Sequence, residues 1–64
     1  MLTATIYNHG QEIESREFTY YAEARHWVIA QTGVKRTVCL ANDTAEAAHE
    51  PGESPRWTIK PIIS

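Results

Sequence analysis

Apolar and polar residues alternate from Leu2 to Asn8, with Leu2, Ala4 and Ile6 on one parity and Thr3, Thr5 and Tyr7 on the other. A period of two predicts a half-buried strand. Asn8-His9-Gly10 follows as a short turn in which Gly10 can take positive φ and fold a hairpin. The returning segment, Gln11 to Phe18, sets Glu12, Glu14 and Arg16 against Ile13, Ser15 and Glu17. Its charges mark an edge strand, since charge on an edge discourages pairing with other chains.

The period then changes. From Thr19 to Gly33, Tyr20, Tyr21, Ala24, Trp27 and Val28 fall in one arc at about 100° per residue, which predicts an amphipathic helix. Thr19 is the expected N-cap and Gly33 the expected left-handed C-terminal residue. Alternation resumes over Val34 to Ala41, with Val34, Val38 and Leu40 inward and Lys35, Thr37 and Cys39 outward. Arg36 shares the inward parity and is expected at the rim, its charge reaching solvent along its stem. Asp43-Thr44-Ala45-Glu46 has capping-box spacing, so a turn or two of helix is expected over Ala45–His49, stopped by Pro51-Gly52. Arg56 to Ile63 reads as a last strand, with Trp57 and Ile59 inward and Pro61 at its end or on an edge.

The expectation is a single α+β domain over residues 1–64, a four-stranded antiparallel sheet in the order ββαββ with one helix across one face. The expected core is Leu2, Ile6, Ile13, Phe18, Tyr21, Ala24, Trp27, Val28, Val38, Leu40, Trp57 and Ile59. The uncovered face is expected to present Thr3, Thr5, Tyr7, Glu12, Glu14, Arg16, Lys35, Thr37, Arg56, Thr58 and Lys60, as antiparallel sheets often solvate one side.

Composition changes this picture mainly by exclusion. Sixty-four residues with one cysteine leave no intramolecular disulfide and little chain from which to build a deep pocket. No run near 18 apolar residues, signal peptide or lipidation motif is present, so a cytoplasmic protein without a membrane association is expected. The formal charge of −2 argues against a protein that lives by gripping phosphates. The charge is uneven: Asp43, Glu46, Glu50 and Glu53 lie in a stretch, Ala41 to Ser54, with no lysine or arginine. The bland reading of that stretch is a solvated loop.

Chemistry is sparse. His9, His26 and His49 lack the spacing of a zinc site. Cys39 has no base at a recognisable offset and is expected as a small buried or half-buried thiol. Glu12 and Glu14, two apart on a strand, are expected to share a face, yet on an exposed edge solubility explains them better than acid–base work. No enzyme, cofactor or metal is expected. Two binding readings remain. One is a monomeric protein-binding domain that uses Tyr7, the acidic stretch and the strand edges. The alternative is a nucleic-acid-binding or regulatory domain whose open face collects Arg16, Lys35, Arg36, Arg56 and Lys60. Tyr7 is the sole outward ring, against the paired stacking aromatics of an RNA-binding sheet.

A strand hairpin, an aromatic-then-EAR helix start over Phe18 to Arg25 and a second hairpin together resemble small phage-encoded proteins, among them the anti-CRISPR inhibitors. The resemblance covers size and architecture along the whole chain. It implies an inhibitor in the host cytoplasm that docks on a CRISPR surveillance complex of Cascade type and blocks target-DNA binding by DNA mimicry. Glu12, Glu14, Asp43, Glu46, Glu50, Glu53 and Tyr7 are then the residues expected at the interface.

Overall fold

In a computed structural model, which describes residues 1–62, one helix packs on a five-stranded antiparallel sheet in the order ββαβββ. The strands are β1 (Leu2–Asn8), β2 (Gln11–Phe18), β3 (Thr37–Ala41), β4 (Thr44–Ala47) and β5 (Trp57–Pro61), and the helix α1 is Tyr21–Thr32. Across the sheet they run β2-β1-β5-β4-β3. The last strand in sequence therefore sits in the middle of the sheet, and the second and third form its edges. Ile63, expected in the last strand, lies outside the described residues.

The first hairpin closes through His9 and Gly10, both at positive φ (53° and 81°). Two successive left-handed residues define the tight turn whose twist matches that of paired strands. Tyr20, not Thr19, occupies the N-cap of α1, and no side chain caps it. Gly33 ends the helix at φ 76°, its N–H donating to the Ile29 carbonyl at 2.7 Å. Thr32 Oγ1 donates to the Val28 carbonyl at 2.7 Å and accepts from the Val34 N–H at 3.3 Å, which secures the exit from the last turn.

Between Ala41 and Ala48 the chain is a hairpin, not a helical turn. Asn42 and Asp43 make the bend, with Asp43 at φ 57°. β4 pairs with β3 on one side and β5 on the other. Residues with good helix propensity are held extended here because the sheet satisfies their backbone on both sides and buries Ala45 and Ala47.

Register places Arg16, Ala4, Ile59, Ala45 and Cys39 in one row beneath the helix side. The small alanines of that row leave room for Trp57, Ile59 and Val28, the largest side chains buried outright. Leu2, Ile6, Ala24 and Trp27 complete the core, with Phe18, Tyr21, Ile29 and Val34 packed against it. The Trp57 indole N–H donates to the Val34 carbonyl at 3.0 Å, joining the central strand to the segment after the helix.

Three residues expected in the core are outside it: Ile13 is 61% exposed, Leu40 58% and Val38 41%. A register shift next to Ile13 opposes Glu14 to Ile6 and Glu12 to Tyr7, so Ile13 bulges out of the ladder. The strand expected from Val34 begins at Thr37, and Cys39, paired with Ala45, takes the helix side in place of Val38 and Leu40. Tyr20 also points to water. Cys39, expected buried or half-buried, is exposed, because α1 packs on β1, β5 and β2 and stops short of β3.

Candidate functional site

The face of the sheet away from α1 carries a row running Ser15, Thr5, Thr58, Glu46 and Val38, one residue from each strand. Thr5 and Thr58 are short and buried, so the middle of this face is recessed. Around the recess stand Tyr7 from β1, Lys60 from β5, Glu46 from β4 and Leu40 from β3, with Ser54 and Pro55 from the β4–β5 connection. The resulting concavity holds about 330 Å³. It is walled on one side by the connection, which approaches the first hairpin so closely that a Cβ at Gly10 would lie 3.3 Å from Ser54 Oγ. Tyr7 is fixed there by its main chain: its N–H donates to the Arg56 carbonyl at 2.8 Å, and Arg56 Nε donates to the Tyr7 carbonyl at 3.4 Å.

The acidic side chains expected to act together are divided by the fold. Glu12 and Glu14 do not share a face, since the bulge sends Glu12 to the open side opposite Tyr7 and Glu14 to the helix side. Glu14 accepts from Arg16 Nη2 at 3.4 Å, and the Arg16 guanidinium lies 5.0 Å from the centre of the Trp27 ring. Neither residue of that pair belongs to the open face. Asp43 lies at the β3–β4 turn, while Glu50 and Glu53 lie past the other end of β4 in the connection. The four residues of β4 separate these ends by about 13 Å. Glu46, between them, is half-buried on the open face.

Glu50 and Glu53 share a small cleft with Arg36 and His49. His49 Nδ1 lies 3.2 Å from the Glu50 carbonyl and Nε2 3.2 Å from Glu46 Oε1. Both partners are acceptors, so both ring nitrogens donate only in the imidazolium form. The Glu50 carbonyl and the Glu46 carboxylate accordingly raise the His49 pKa above its ordinary value. On the helix side, Tyr21, Cys39 and Asp43 border another shallow cleft. Burial raises the Tyr21 phenol above its ordinary pKa, Cys39 and Asp43 act in the same direction, and Arg25 opposes them. A phenol so placed stays neutral near pH 7.

His9, His26 and His49 occupy the first turn, the helix flank and the connection, and among the described residues no three metal-ligating side chains converge. No helix of the described chain is long and apolar enough to cross a membrane. The open face owes its apolar surface to Leu40 and Val38, which parity alone assigns to the core. The usable signal in sequence is Asn42-Asp43, a turn dipeptide that makes residues 37–47 a hairpin and brings β3 to the sheet's edge. No protein-family model, curated protein or solved structure matches this chain.

Proposed function

We propose that this chain is a non-enzymatic protein-binding domain that meets its partner with the open sheet face and the acidic connection beside it. The observation that carries this reading is the exposure of Leu40 and Val38 next to Tyr7, Glu46 and the recessed threonines. Exposed apolar side chains on the edge strand, beside an aromatic ring and acidic groups, make the mixed surface that a protein interface uses. The nucleic-acid alternative has less support, because Arg16 is spent on the Trp27 ring and Glu12, Glu17 and Glu46 share the open face with Arg56 and Lys60.

The resemblance to phage anti-CRISPR inhibitors supplies the partner class to try first, a Cascade-type surveillance complex with a basic DNA-binding groove. Glu46, Glu50 and Glu53 meet lysines and arginines that otherwise hold phosphates, and Tyr7 and Leu40 supply the contact that excludes water. The test is competition: the purified chain is titrated into the effector and target-DNA binding is followed. Inhibition that Leu40→Glu abolishes without unfolding the protein supports the reading. No association with the effector removes the CRISPR partner. Micromolar, steeply salt-dependent binding to a random duplex replaces protein binding with the nucleic-acid alternative.

A further inference from the structure

His49 stands at the root of the β4–β5 connection and touches both sides of the recess on the open face. Its Nε2 lies 3.2 Å from Glu46 Oε1, and the same Glu46 lines the recess with Tyr7, Leu40, Thr58 and Lys60. Its Nδ1 lies 3.2 Å from the Glu50 carbonyl. That carbonyl also accepts from the Glu53 N–H at 3.0 Å, closing a turn through Pro51 and Gly52. The turn leads into Ser54 and Pro55, the wall of the recess. Upstream, the Ala48 N–H donates to the Arg36 carbonyl at 2.9 Å and ties the chain to the segment before β3. Between that tie and the turn, the imidazole holds the connection to β4.

Two acceptors on one ring demand two donors, which only the imidazolium supplies. A neutral ring keeps a single N–H. The Glu46 carboxylate is the stronger acceptor and retains it. The remaining lone pair then faces the Glu50 carbonyl, and that contact is lost. The groups that face the ring are Glu46 from β4, Glu50 and Glu53 from the connection and Arg36 from the segment before β3. The carboxylates favour the imidazolium and Arg36 opposes it. The ring's pKa ends above its ordinary value, raised most by the Glu50 carbonyl and next by Glu46.

We propose that His49 is a pH-sensitive latch on the open face. Protonated, it fastens the connection to β4 and neutralises Glu46. Deprotonated, it releases the connection and leaves the Glu46 carboxylate to a cationic partner. The consequence for binding rests on the protein-binding reading: a basic partner that takes Glu46 from the imidazolium releases up to one proton. Its affinity then rises by up to about tenfold per pH unit below the His49 midpoint and levels off above it.

The latch is tested on the isolated protein by NMR from about pH 5 to 8. Backbone order parameters of Glu50, Glu53 and Ser54 are expected to fall as the His49 ring loses its proton, and the neutral ring is expected to carry its hydrogen on Nε2. His49→Ala is expected to hold the connection at the looser level at every pH. Order that does not change across the ring's midpoint, or a neutral ring protonated on Nδ1, overturns the inference. If His49→Ala does not fold, the parent titration decides alone. Binding is tested with a hexa-arginine peptide one pH unit to either side of the midpoint. About tenfold tighter binding on the alkaline side is expected, and His49→Ala and Glu46→Gln should each remove the difference. A pH dependence that His49→Ala leaves intact belongs to His9 or His26 and overturns the inference. Peptide that binds at neither pH counts against the protein-binding reading, and the order parameters still decide the latch.

Discussion

The indole Nε1 of Trp57 donates to the main-chain carbonyl of Val34 at 3.0 Å, and Trp57 is fully buried. One side chain thus fills the core from the central strand and also pins the chain where it leaves the helix. Trp57→Phe keeps most of the ring volume but leaves the Val34 carbonyl without its donor, at an expected cost of about 1–3 kcal/mol. Trp57→Ala adds a cavity, for about 3–5 kcal/mol, enough to unfold a domain of this size. Urea titration separates the two. Equal and small losses would show that the indole is not the joint described.

Trp27 is bounded by Phe18, with ring centroids 5.6 Å apart, and by the Arg16 guanidinium. Arg16→Ala removes the exposed cation that lies over the Trp27 ring, for an expected loss of about 0.5–1 kcal/mol. It also admits water to the indole, which a red shift of tryptophan emission reports. The Arg16–Glu14 contact is exposed, so Glu14→Gln alone is expected to leave stability nearly unchanged.

Ile13 tests the bulge. A buried isoleucine cannot become lysine without large loss, whereas a bulged, exposed one changes stability by about 0.5 kcal/mol or less. Ile13→Lys is expected to melt with the parent. A strongly destabilised variant would restore Ile13 to the core.

How far sequence reaches is visible in two hairpins. Leu2 to Phe18 is legible as a hairpin because alternation and a glycine turn agree, but the bulge at Ile13 reverses the expected faces of Glu14 and Arg16. Residues 37–47 were not legible by the same means. Thr44-Ala45-Glu46-Ala47 has helix-forming composition and capping-box spacing, and local preference points away from the observed strand. Pairing on both sides, a non-local term, decides the outcome. Misplacing β4 also displaces β3: once a fifth strand exists, Val38 and Leu40 lie beyond the helix and need not face it. The candidate site suffers most. Sequence picks out Tyr7 and Glu46, yet parity counts Leu40 as core and puts Glu14 and Arg16 on the open face, where the structure sets both on the helix side.

The His49 hydrogen bonds set a pH dependence. Backbone and carboxylate acceptors hold its folded-state pKa above the ordinary 6.5. A raised folded pKa contributes stability that is complete below about 6.5 and is lost as pH rises through the folded value. The connection between β4 and β5 is therefore expected to tighten as pH falls through that window. Proton NMR titration of the imidazole checks it, and Glu46→Gln should return the His49 pKa toward 6.5. A wild-type His49 that titrates at 6.5 or below would show that these contacts do not form in solution.

The division of the acidic side chains decides how a basic partner is met. Asp43 stands about 13 Å from the connection, beyond the roughly 8 Å Debye length of physiological salt, so the two ends act independently on an approaching charge. At one end, Glu50 and Glu53 are partly opposed by Arg36, and by His49 when its ring is protonated, in the same cleft. At the other, Asp43 occupies a left-handed turn position, where asparagine is tolerated but most residues are strained. Asp43→Asn therefore removes charge without disturbing the hairpin, and Glu50→Gln with Glu53→Gln does the same for the connection. If the partner's basic groove lies over the open face and the connection, the double neutralisation slows association severalfold at low salt, whereas Asp43→Asn leaves it nearly unchanged. Arg36→Ala should speed association by unmasking the two glutamates. Stopped-flow association at two ionic strengths distinguishes these outcomes. Equal slowing by both neutralisations extends the footprint to the β3–β4 turn, and no slowing by either returns the acids to the role of a solvated loop. The open face around Tyr7 and Leu40 is then left to carry binding alone.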